Sequence, residues 1–171
     1  MALVLNGDGA IAGLAAGGLP DATITQADLA ANIASNGPAF SGYLSGNQTL
    51  TSTVYQKMSI NTMEYNTGGF YDATTNYRFL PTVAGYYQFN AALTVTSQQV
   101  ILLAFYKNNA QFKRVAYTYN SPVFVVSGSA LIYLNGSSDY VELIGRSETG
   151  GTAYGGSAET TWFQGYLVKA A

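Results

Sequence analysis

From Gly85 onward the chain alternates: Tyr87, Phe89, Ala91, Leu93 and Val95 fall on one parity, and Gln88, Asn90, Thr94 and Thr96 on the other. Side chains on a strand switch faces at every residue, so this run predicts a half-buried strand with its apolar side on a core. Gly85 stands at its start, where a side chain would crowd a corner. The same signal recurs at Ile101, Leu103 and Phe105, ending at Lys107-Asn108-Asn109, a hairpin turn. Gln111 to Tyr119 returns with partial alternation. Val123 to Leu134 is interrupted at Ser127-Gly128, and its second half, SALIYL, reads as buried on both faces. After the turn Asn135-Gly136-Ser137-Ser138, Val141 and Leu143 point inward and Glu142 outward. Gly150 to Gly156 reads as a flexible loop carrying Tyr154, and Thr161 to Val168 as a closing strand. Upstream, Phe40 to Leu44 and Val54 to Met63 supply further strand character, and Phe70 to Thr82 is aromatic and polar, with a turn at Asn76 and Pro81 before a break. Eight to ten short strands without helical crossovers predict an antiparallel sandwich or barrel.

Residues 1–37 follow another pattern. Leu3-Val4-Leu5 is one short strand, followed by a Gly/Ala-rich stretch. Thr25 caps a small helix with Asp28 three residues on, Leu29 and Ile33 share its face, and Asn36-Gly37-Pro38 stops it. A helix this short must dock to persist. These residues are therefore expected to form an attachment and assembly arm, with Leu3, Leu5, Leu29 and Ile33 as docking residues, ahead of a β domain over 38–171.

Composition sharpens this. Only 9% of residues are charged, against about 25% in an average soluble domain. Fourteen Tyr and eight Phe at a net charge of −2 argue for an ordered β protein with broad packed faces, and against disorder. The seven Lys and Arg are scattered, with no stripe to follow phosphates, so no nucleic-acid partner is expected. No apolar run reaches a membrane span, and the N-terminus lacks the basic region of a signal peptide. Without Cys there are no disulfides or thiolate sites, and no cofactor is expected.

Particular residues go further. Ala39-Phe40-Ser41, Tyr71-Asp72, Tyr77-Arg78-Phe79 and Pro81 with Ala84-Gly85-Tyr86-Tyr87-Gln88-Phe89 resemble the complement C1q-type globular domain. The resemblance continues through Tyr106-Lys107-Asn108-Asn109, Gly128-Ser129-Ala130-Leu131, Asp139-Tyr140-Val141-Glu142-Leu143 and Phe163-Gln164-Gly165-Tyr166-Leu167. It implies an all-β, ten-stranded jelly-roll sandwich related to tumour necrosis factor, assembled as a parallel homotrimer. Where the family usually has Gly-Asp-x-Val, this chain has Ser138-Asp139-Tyr140-Val141, and no calcium ligands are carried over. The opening segment resembles the N-terminus of bacteriophage virion proteins, especially tail-fibre-type proteins. That implies a virion component assembled in the host cytoplasm.

Candidate chemistry is sparse. Without His and Cys the usual base and best nucleophile are missing. Glu64, Asp72, Asp139, Glu142, Glu148 and Glu159 could in principle supply the two carboxyls that glycoside hydrolysis requires about 5–9.5 Å apart, but their settings read as turns and surface. Gly7-Asp8-Gly9 with Gly13 lacks the spacing of a dinucleotide fingerprint. Tyr117, Tyr119 and Tyr154, on loops of small polar residues, suit stacking against host-surface sugars or proteins. Packing at a trimer axis or sheet edge accounts for them equally. Lys113 and Arg114 could hold an acidic glycan or form a solvated pair. The expected role is a short tail fibre or spike bound through its arm to another virion protein, with capsid decoration as the alternative and glycan cleavage as a third reading.

Overall fold

The computed structural model describes residues 4–5, 11–12, 37–96, 100–118 and 125–171. The chain divides into two units, Met1–Ala30 and Ala31–Ala171. In the first, β1 (Val4–Leu5) pairs antiparallel with β2 (Ile11–Ala12). Leu3, the helix expected after Thr25, Leu29 and Ile33 lie outside the described residues, and of Leu5 only the strand is described.

The second unit contains β3 (Ala39–Tyr43), β4 (Gln48–Leu50), β5 (Gln56–Lys57), β6 (Thr62–Asn66), β7 (Tyr71–Asp72), β8 (Arg78–Phe79), β9 (Ala84–Thr94), β10 (Ile101–Lys107), β11 (Ala110–Tyr117), β12 (Val125–Asn135), β13 (Val141–Ser147), β14 (Gly151–Ala153) and β15 (Trp162–Ala170). A five-stranded sheet runs β12-β9-β15-β3-β6, and a six-stranded sheet runs β11-β10-β13-β8-β7 with β5 also on β13. Every pairing between these strands is antiparallel. The all-β sandwich expected from the alternation is present. The two sheets hold eleven strands rather than ten, because β5 adds to the flank of β13 beside β8.

The inward parity of both sheets meets in an aromatic core. Phe40 stacks on Tyr71 and on Phe79, each at 4.7 Å, and meets Phe163 edge-on at 4.9 Å. Phe89 and Phe105 close the cluster at 5.9 Å. Phe40, Phe89 and Phe163 come from the five-stranded sheet and Tyr71, Phe79 and Phe105 from the other, so the rings join the sheets. Such offset and edge-on pairs add to simple burial. Gly165 makes this possible, since a Cβ there would lie 2.6 Å from the Phe89 ring. At Gly85 a Cβ would lie 2.4 Å from the Lys169 carbonyl oxygen, where β15 bulges against β9 between Leu167 and Lys169.

Four expectations are corrected. SALIYL is not buried on both faces: Ile132 and Leu134 enter the core, whereas Leu131 and Tyr133 face outward. No break occurs at Ser127-Gly128, and β12 pairs with β9 along its whole length. Val54 to Met63 is not one strand: β5 holds only Gln56–Lys57, and β6 begins at Thr62 after four residues outside either strand. The segment read as a flexible loop around Gly150 contains β14, paired to β4. The Asn108-Asn109 turn is as expected, with both residues left-handed at φ 52° and 64°.

Candidate functional site

The outward face of the five-stranded sheet is built in cross-strand rows. One row runs Leu131, Gln88, Tyr166, Ala39; the next Ser129, Asn90, Gln164, Ser41, Tyr65; another Ser127, Ala92, Trp162, Tyr43. Tyr133 faces Tyr86 at the end of the sheet, ring to ring at 5.4 Å. Leu131 and Tyr166 remain 49% and 47% exposed. Of the twelve large apolar side chains exposed among the described residues, seven stand on this face: Tyr65, Tyr86, Val125, Leu131, Tyr133, Tyr166 and Val168. Leu131, Tyr133, Tyr86 and Tyr166 adjoin on neighbouring strands, and an exposed apolar patch of this kind marks an interaction surface. Beside it lies a polar strip, where Ser41 donates to Glu64 at 2.6 Å and sits 3.4 Å from Gln164 Oε1.

The outward face of the six-stranded sheet is finished differently. Glu142, outward as expected, is nevertheless only 3% exposed, because Lys57 of β5 covers it with a 2.5 Å ion pair. Its Oε2 and the Tyr71 hydroxyl are buried without hydrogen-bond partners. Burial drives the Tyr71 phenol far above its ordinary pKa. Arg146 lies over the Tyr55 ring at 5.1 Å, pairs with Glu148, and donates from Nε to the Thr53 carbonyl at 2.9 Å. Tyr55 meets Tyr106 at 6.2 Å, and Arg114 lies over Tyr117 at 5.6 Å. The Tyr106 phenol is pushed up by burial and then by Tyr55, against the pull of Arg114.

The carboxylates bind their own loops. Asp72 accepts from the Thr75, Thr74 and Asn76 backbone amides and from the Asn76 side chain, and these bonds hold its carboxyl far below the usual range. Burial would raise Asp139, but bonds from Lys107 and Asn108 with the Lys107 charge outweigh it and lower its pKa. Asp139 also accepts from the Asn135 amide, tying the β12–β13 turn to the β10–β11 turn. Among the described residues no group of three or more His, Cys, Asp or Glu is placed to hold a metal ion, and no helix is long and apolar enough to cross a membrane.

Of the residues singled out in the sequence, Arg114 and Tyr117 come together on β11, both exposed. Lys113 is exposed on the same strand but lies over Phe112 at 5.7 Å instead. Tyr154, just after β14, donates its amide to the Thr94 carbonyl and belongs to the β4–β14 end of the chain. Tyr119 lies outside the described residues. Sequence reasoning missed Tyr55, Tyr106 and Arg146, and the outward Leu131, Tyr133 and Tyr166. The former meet only through long-range pairing of β10 and β13 and the segment before β5. Leu131 and Tyr133 carry a signal, the apolar run of β12, that reads as interior, whereas nothing in the closing strand assigns Tyr166 a face.

Two antiparallel sheets closed over one aromatic core, one with an apolar outer face, define a jelly-roll sandwich of the C1q and tumour necrosis factor type. The C1q domain model matches residues 39–168, and the chain belongs to that family. Among solved structures it is similar to the globular domain of zebrafish complement 1qA protein (18% identity, TM-score 0.61, 78% of this chain and 99% of that one). It is similar also to the PRD1 vertex protein P5 (14%, 0.59, 77% and 97%) and to Eiger TNF from S. frugiperda (13%, 0.53, 78% and 92%). None of these names an enzyme. No curated protein matches the chain.

Proposed function

We propose that the chain is a structural, non-enzymatic binding head that assembles as a homotrimer and is carried on a virion by residues 1–37. The observation that carries the reading is the apolar outer face of the five-stranded sheet. Leu131, Tyr133, Tyr86, Tyr166 and Val168 add nothing to the core of their own chain. Three copies turning this face toward a common axis would remove it from water and close the assembly without leaving a free patch. The low charge of the chain fits a subunit that hides part of its surface.

The preferred role is a short tail fibre or spike whose free surfaces contact the host, with Leu3, Leu5, Leu29 and Ile33 docking on another virion protein. The alternative is capsid decoration. It gains support from the likeness of the fold to that of a vertex protein. The solution mass of the full chain and of a chain starting at Gly37 tests the assembly. Trimers in both support a self-sufficient head with an arm kept for attachment, and monomers in both overturn the reading. Immunogold labelling of particles then separates the roles: label on the tail rejects decoration, and label over the head rejects the fibre.

A further inference from the structure

On the outward side of the six-stranded sheet, Leu102, Ala104 and Ile144 are buried although they face away from the core. Arg114 and Tyr106 stand on the same outward side of β11 and β10, Tyr106 meets Tyr55 at 6.2 Å, Arg146 lies over Tyr55, and Tyr117 lies beside Arg114. Tyr55 and Tyr117 are 42% and 50% exposed, so ring faces are open to solvent.

The charges on this surface are not balanced. Glu142 is taken by Lys57 and Glu148 by Arg146. Arg114 forms no salt bridge among the described residues, and Lys113, paired with inward Phe105, stands on the other side of the strand. What remains is a free guanidinium flanked by half-open phenol rings on a rigid floor. Arg146, whose Nε and fork are both engaged, fixes Tyr55 in place.

We propose that this surface binds an anionic polysaccharide of the uronic-acid kind. A pyranose ring lies by its C–H face on Tyr55 and Tyr106 or on Tyr117, and the carboxylate of a sugar reaches Arg114 as a two-pronged hydrogen-bonded pair. A protein partner fits less well, because the apolar floor is already covered. A nucleic acid fits less well, because one uncompensated cation cannot track a phosphate backbone. A single such contact is weak, and three copies on one head would raise the avidity for a repeating polymer by about 10²–10⁴. The ligand class rests on the reading of the domain as a binding head, but the site lies on the sheet opposite to the proposed assembly face.

The test is calorimetric titration of the full chain with oligogalacturonate, with neutral dextran and inorganic polyphosphate as comparison probes and the solution mass recorded on the same samples. Oligogalacturonate should bind and dextran should not. Arg114→Ala should weaken binding about tenfold or more, as expected for loss of a charge-assisted pair. Arg114→Lys should restore part of it, and Tyr55→Ala and Tyr117→Ala should each cost several-fold with the mass unchanged. Lys169→Ala, on the other sheet, should bind as the parent does. No binding of oligogalacturonate by the parent chain overturns the site, as does equal binding of polyphosphate, which would reduce it to charge alone. A trimer that does not bind rejects this site and leaves the assembly standing; a monomer that binds does the reverse.

Discussion

On the five-stranded sheet the outward positions of β12, β9 and β15 carry Leu131, Tyr133, Tyr86, Tyr166 and Val168 around a strip of Ser, Asn and Gln. On the six-stranded sheet the equivalent positions of β10, β11 and β13 carry Tyr106, Arg114, Glu142 and Arg146, and the apolar residues among them, Leu102, Ala104 and Ile144, are buried. All three ion pairs among the described residues involve the six-stranded sheet or its turns. Both sheets obey the same alternation and share one core, yet only one is finished for water. The difference teaches that inward parity fixes the sandwich, whereas outward parity records what each face is meant to meet.

The sharpest way to break this contrast is Leu131→Asp with Tyr166→Asp. The solution mass should fall to that of the single 18.1 kDa chain, while Tyr55→Asp on the other sheet leaves it unchanged. Equal masses for all three proteins would erase the distinction between the faces. Next in size is Phe40→Ala, which removes the ring that touches both sheets and should cost about 3–5 kcal/mol in a denaturant melt.

A smaller effect separates the two partners beneath the charged face. Lys57→Met leaves Glu142 buried without its cation and should cost about 3 kcal/mol. Glu142→Gln should cost only about 1 kcal/mol, because Lys57 is one-third exposed and can turn to water. The smallest change concerns Asp72. Its folded pKa lies below the ordinary 3.8, so its contribution is fully present above that value and fades as pH falls from about 4 toward its depressed native pKa. Urea midpoints measured from pH 5 to pH 2 should decline less steeply in Asp72→Ala than in the parent.

Much of the sandwich was legible in the sequence. Tyr87, Phe89, Ala91 and Leu93 declared β9 by parity, and Lys107-Asn108-Asn109 declared the hairpin. The outer faces were harder, since an apolar residue that waits for a partner looks the same in sequence as one already buried. That is why Leu131 and Tyr133 were read as interior. Arg114 and Tyr117 were legible because one strand carries both. Tyr106 and Arg146 come from two strands and Tyr55 from the segment just before β5, and their meeting depends on long-range pairing that no local pattern states. Tyr154 joined the candidates by composition and is set apart by the β4–β14 pairing.

Among the described residues β11 pairs with β10 alone at the end of its sheet, bent by irregularities opposite Leu103/Ala104 and Phe105/Tyr106 and bearing Lys113 and Arg114. An open edge of this kind is a template for strand addition, and bends with positive charge are what deny it to another chain. Growth by edge pairing would give filaments without end. With that route blocked, an assembly must stop when its faces are used up. Replacing Lys113 and Arg114 by Thr and Val should therefore appear first as turbidity and loss of soluble yield, before any ligand is tested.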